Sequence, residues 1–214
     1  ERAQSNELEH RQLKFLNHTV FTDVWLFLEQ TMDNKTDFDE LCEKLGSAYV
    51  KFLCALNALE EEHDEVLSGG INHADCKNHF LSNAYLSMFN KFELNKPWIY
   101  HSKAAKEQID KKEKGKWDRG LCFEHIVPKQ QYLQSKCEEL VKEKGKDARQ
   151  EVTELIKKYW KIAVITSAEN KRLLTRTMPK GWKEGDDFFA RYNNPKDCGE
   201  KIQLFDFNNK LVNK

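Results

Sequence analysis

The chain has 214 residues, of which 39% are hydrophobic and 33% charged. That composition excludes a disordered or fibrous polymer and suffices to bury one core. The 35 basic and 35 acidic side chains cancel overall, but residues 1–66 carry 6 Lys/Arg against 15 Asp/Glu and the remainder carries 29 against 20. An acidic front fits a docking or solvating surface and a basic rest fits a polyanion, so neutrality does not exclude nucleic acid. No apolar run is long enough to span a bilayer. The opening ERAQSNELEH lacks the basic-then-apolar layout of a secretion signal. A soluble, cytoplasmic protein without membrane contact is the expectation. The six cysteines, Cys42, Cys54, Cys76, Cys122, Cys137 and Cys198, form no Cys-x-x-Cys pair, and they read as reduced thiols.

Taken in chain order, the first elements are helical. Leu13, Leu16, Val20, Val24 and Phe27 recur every three or four residues, as do Phe38, Leu41, Leu45, Tyr49, Phe52, Leu56 and Leu59. Each set draws one apolar stripe along an amphipathic helix. The second helix starts near Asp37, with Glu40 spaced for a capping box, and is over by SGG at 68–70. A third carries Leu81, Tyr85, Met88 and Phe92 and ends at NKPW, 95–98, where proline cannot continue the ladder. His73, Cys76 and His79 at its start are spaced by three, as polar residues at a helix start or as zinc ligands.

Residues 101–120 hold seven Lys/Arg, four acids and two glycines, and read as a basic linker or loop. LCFEHIV and KIAVIT (161–166) are short, apolar and β-leaning. Between them lie helical segments marked by Leu133, Cys137 and Leu140 and then by Val152, Leu155, Ile156 and Tyr159. SAENKRLLTR, 167–176, is a helix opened by Thr166 and Glu169 in capping-box spacing. In 178–194, Trp182, Phe188, Phe189 and Tyr192 alternate with Lys180, Lys183 and Arg191. This tail either stacks bases along a phosphate backbone or caps the core as a loop and short helix.

CFEHIVPK, 122–129, carries the chemistry. Hydrolysis of a phosphodiester needs a base to activate water and a cation to take up charge at the departing oxygen. A histidine beside a carboxylate offers both, although neighbours in a strand point to opposite faces until the backbone turns, as Pro128 makes it do.

FEHIVPK resembles the first signature of the HNH (ββα-metal) nucleases, a likeness covering roughly residues 117–176. The resemblance implies an α+β protein: a helical N-terminal region, 1–100, a linker, 101–120, and an HNH-like hairpin–helix module with helical insertion and tail, 121–214. It implies His125 as general base, and Glu124 and Asn170 as ligands of a divalent ion, Mg2+ or Mn2+, with Zn2+ or Ni2+ as alternatives. Lys129, Lys171, Arg172 and Arg191 are the candidate contacts to nucleic acid, with double-stranded DNA the expected substrate and restriction or phage defence the expected setting. The asparagine that orients the histidine in that family is missing from KKYWKIAV, and the strands are more than thirty residues apart. The alternative from another class is a non-catalytic interaction module, in which the acidic N-terminal helices hold a protein partner and the ββα segment is degenerate.

Overall fold

The computed structural model of the chain describes residues 38–61, 77, 80–81, 99–111, 120–196 and 199–213. The first expected helix, most of the third and the His73–Cys76–His79 cluster lie outside the described residues. The described part is α+β, with helices packed on a small mixed sheet.

The opening helix, α1, spans Phe38–Glu61. Leu41, Leu45, Tyr49, Leu53 and Leu56 are all buried along it, as the apolar spacing requires. Strand β1 (Ile99–Ser102) runs straight into helix α2 (Lys103–Asp110), whose cap is Ser102: its hydroxyl accepts from the Ala105 N–H at 3.1 Å. The segment read as a linker therefore begins as a buried strand end and a helix.

Strand β2 (Leu121–His125) is followed by a π-helical turn, Gln130–Gln134, and helix α3 (Ser135–Lys144). A 3-10 turn, Gly145–Ala148, leads into helix α4 (Arg149–Tyr159), with Gly145 at φ 58, in the left-handed region where glycine is at ease. Strand β3 (Ile162–Thr166) and helix α5 (Ser167–Arg172) come next, then the short helix α6 (Ala190–Asn193) and strand β4 (Leu204–Phe205). The inserted helices between β2 and β3 are thus present as the apolar spacing indicates.

The sheet order is β2-β3-β1-β4, with β2 and β3 antiparallel, β1 and β3 parallel, and β1 and β4 antiparallel. Every residue of β3 is buried, the pattern of a central strand covered on both faces. Alternation divides the sheet into two apolar layers. Leu121, Phe123, Val127, Ile162, Val164 and Ile99 face the larger cluster, shared with α1, α3 and α4. Cys122, Ile126, Ala163, Ile165 and Tyr100 face the smaller one, closed by Leu173, Tyr192, Ile202 and Leu204.

The described stretch of the acidic front, Phe38–Glu61, shares a core with the sheet. Helix α1 lies against α4 in the same core that supports the sheet, and Gly46 sits at a close approach between them. A Cβ there would stand 2.4 Å from Thr153 Oγ1 and 3.1 Å from the Thr153 Cα, so glycine is needed for the approach. Behind it, Tyr49, Phe52 and Phe80 form a ring stack with centroids 4.6 to 6.3 Å apart.

The tail takes the second of its two expected roles. Phe189 meets the Tyr100 ring edge-on at 5.3 Å, and Trp182 meets Tyr132 edge-on at 5.1 Å. Tyr192 is fully buried. These rings pack against the core, Tyr192 within it and Trp182, Phe188 and Phe189 half-buried at its edge.

Candidate functional site

The motif lies where β2 ends. The β2–β3 register pairs Leu121 with Thr166 and His125 with Ile162, so α5 starts at the Leu121 end, roughly 13 Å along the ladder from His125 at ~3.3 Å per residue. Its start is fixed by the expected capping box. Thr166 Oγ1 accepts from the Glu169 N–H at 3.2 Å, and Glu169 Oε2 accepts from the Thr166 N–H at 2.8 Å. The same carboxylate oxygen accepts from Ser102 Oγ at 2.7 Å, tying α5 to the end of β1. Glu169, which competes with Asn170 for a ligand role, is thus committed to the cap.

Helix α5 then crosses back over the strand pair. Leu173, just past its end, belongs to the same apolar cluster as Ile126 and Ala163, and the carbonyls of Leu174 and His125 are joined through one guanidinium. Arg191 Nη1 donates to Leu174 O at 2.7 Å and Nη2 to His125 O at 2.9 Å. Nη2 also donates to Glu124 Oε1 at 3.0 Å. Arg191 is fully buried, while the Glu124 side chain is 25% exposed.

Two of the three expected centre residues share a layer. Glu124 pairs with Ala163, on the side where α5 lies, and half-buried Asn170 sits midway along the helix's return. Among the described residues, Glu124 Oε2 and the Asn170 carboxamide carry no hydrogen bond. The Asn170 backbone carbonyl accepts from the Leu173 N–H at 3.1 Å. Strand alternation turns His125 to the other layer, with Phe123 and Val164. Because β2 is an edge strand, the two layers meet along its open side.

His125 is half-buried as a residue, but its Nε2 is shut off from solvent and has no partner. Burial, then the Lys129 and Arg191 cations, hold the imidazole well below its usual range, down to about 3. The unfolded chain takes up a proton here near pH ~6.5, whereas the folded one does not until far lower. Stability from this group is therefore complete above pH ~6.5 and is lost as the pH falls from there towards the folded value. His101, buried beside Phe205, is displaced in the same direction by burial. The melting temperature of metal-free protein is expected to drop between about pH 7 and about pH 4, and His125→Gln to show a shallower drop; parallel curves for the two proteins would contradict the assignment.

The candidate nucleic-acid residues are spread around this end of the sheet. Lys129 follows Pro128 in a half-buried position, and burial lowers its ammonium to about 8. Lys171 is exposed on α5. Arg172 is half-buried and donates to the Glu200 carbonyl. Arg191, put forward by the sequence for phosphate, is instead an interior strut. Its burial and its partner Glu124 leave no guanidinium edge at the surface. The signal for that role was available only as a pairing between residues 67 apart, which no local motif encodes.

Among the described residues no cluster of three or more His, Cys, Asp or Glu could hold a metal ion. A cation here would rest on Glu124 Oε2 and the Asn170 carboxamide oxygen, hard donors suited to Mg2+ or Mn2+ with water completing the shell. No described helix is long and apolar enough to cross a membrane. Comparison with protein-family models, curated proteins and solved structures finds no match for this chain.

Proposed function

We propose that the chain is a metal-dependent phosphodiester hydrolase of the HNH type, acting on double-stranded DNA through a ββα unit formed by β2, β3 and α5. The observation that supports this reading is that the antiparallel pair β2–β3 is followed directly by a capped helix, and that Arg191 links the Leu174 carbonyl, two residues past that helix, to the Glu124–His125 step. A strand–strand–helix order of this kind is what the HNH resemblance implies, here with 36 residues between the two strands.

In the mechanism His125 Nε2 accepts a proton from water, the hydroxide oxygen attacks phosphorus, and the bond from phosphorus to the 3′ oxygen breaks. A divalent ion on Glu124 and Asn170 would supply charge neutralisation at that departing oxygen. His125 is neutral at working pH, and its Nε2, enclosed in the substrate-free protein, has to open to water for the proton transfer. Burial is the larger cause of its low proton affinity, and a bound phosphate against Lys129 offsets only the smaller, Coulombic part. Lys129 and Lys171 act as phosphate contacts, and Arg172 adds charge beside the start of the duplex path.

A second reading is favoured by a specific observation: Glu124 is already paired with Arg191, and His125 Nε2 is sealed. A degenerate ββα segment within a protein-interaction module, with α1 and its neighbours offering the acidic docking surface, would look this way. Plasmid incubated with purified protein and Mg2+ or Mn2+ separates the two. Nicking that needs the metal and stops with a chelator supports the hydrolase; no product with any divalent ion on DNA or RNA favours the interaction module.

A further inference from the structure

The HNH resemblance leaves His125 without the asparagine that usually orients it, and in this fold a buried guanidinium holds the backbone of the same step and the carboxylate beside it. We infer that Arg191 is the positioning residue for the Glu124–His125 step, an inference that rests on the hydrolase reading above. Its guanidinium is fully buried and joins three pieces of the site: the Glu124 carboxylate, the His125 carbonyl and the Leu174 carbonyl, at 3.0, 2.9 and 2.7 Å. The first two belong to the two motif residues themselves. The third belongs to the return of α5, so the same group sets the helix against the strand end.

The geometry asks for arginine. A planar fork reaches spatially separated acceptors in fixed directions from two different nitrogens, while an ammonium offers its three donors from one flexible point. The guanidinium carbon also lies 5.7 Å from the centre of the Tyr192 ring, which backs it from the far side. Arg191 spends Glu124 Oε1 and leaves Oε2 as the oxygen available to a cation. It fixes the His125 carbonyl at the point where pairing with β3 ceases, and the last ladder bond, from the Ile126 N–H to the Lys161 carbonyl at 2.9 Å, follows at once. Outer partners of this kind are worth about 10–100-fold in metal affinity or activity.

The test uses the full chain, a plasmid or defined duplex, and Mn2+ as probe, with thermal melting run alongside. Arg191→Lys is expected to stay folded, to lower kcat by about tenfold or more with KM for duplex little changed, and to weaken Mn2+ binding by a similar factor. In a Glu124→Gln background the same substitution is expected to add little to the loss of Mn2+ affinity, because the group it positions is gone. Should Arg191→Lys fail to fold, Arg191→Gln, which keeps a planar N–H pair, gives the same comparison. A raised KM with unchanged kcat makes Arg191 a DNA contact and overturns the inference, as does a variant equal to wild type in kcat and Mn2+ affinity. Wild-type protein that neither cleaves nor binds Mn2+ removes the hydrolase reading itself and the inference with it, a result distinct from an active wild type with an indifferent Arg191 variant.

Discussion

His125→Ala is expected to lose DNA cleavage by about 10²–10⁴-fold, the usual worth of a positioned general base, with duplex binding retained. Binding survives because the phosphate contacts assigned to Lys129 and Lys171 lie on other residues. Folding survives because the buried ring nitrogen Nε2 has no protein partner to orphan. The unmade hydrogen bond at Nε2 is itself a cost in the folded protein, so the variant is expected to melt no lower than its lost packing requires. Single-turnover cleavage in Mn2+, filter binding in a chelator and a melting curve together decide it. Loss of cleavage together with loss of binding and fold would make His125 a structural residue.

The second large effect concerns the core. Trp160→Ala is expected to cost about 3–5 kcal/mol, as for other buried tryptophans, and on the order of 10 °C in melting temperature for a chain of this size. Trp160 is fully buried at the turn from α4 into β3, and its Nε1–H donates to the Leu81 carbonyl at 3.3 Å. It therefore sets the start of the strand that pairs with both β2 and β1, and its loss is expected to reduce cleavage through the position of β3. Urea unfolding measures the stability term. A change below about 1 kcal/mol would show that the cavity collapses at little cost.

What could be read in the sequence was whatever short-range periodicity encodes. The stripe Leu41–Leu45–Tyr49–Leu56 gave α1, the apolar run IAVIT gave β3, and Thr166 with Glu169 gave the start of α5, because each depends on neighbours within one or two turns. Strand β1 was missed. IYHS is four residues long and follows a proline, and its strand character comes from parallel pairing with β3, sixty residues away. Its successor α2 was hidden by the lysines that made 101–120 look like a linker, although Ser102 is a good helix cap.

At the site, the two motif residues were visible as a pair but their orientation was not. Alternation separates Glu124 from His125 by the thickness of the strand, and under the proposed mechanism it is the edge position of β2 that would let both face one substrate. Arg191 was noticed for its charge, while burial against Glu124, 67 residues away, decides its role. That choice depends on how α6 packs, which composition cannot convey.

The central claim is that one divalent ion and the His125 imidazole meet a phosphodiester at the end of β2. A crystal structure of the His125→Ala variant with Mn2+ and a short duplex, read by anomalous scattering, tests it most directly. The account predicts a manganese peak bound by Glu124 Oε2 and the Asn170 oxygen, with a phosphate on the same ion and water in the space left by the imidazole. Manganese elsewhere, or Glu124 still closed on Arg191 with the duplex bound at a different face, would contradict it.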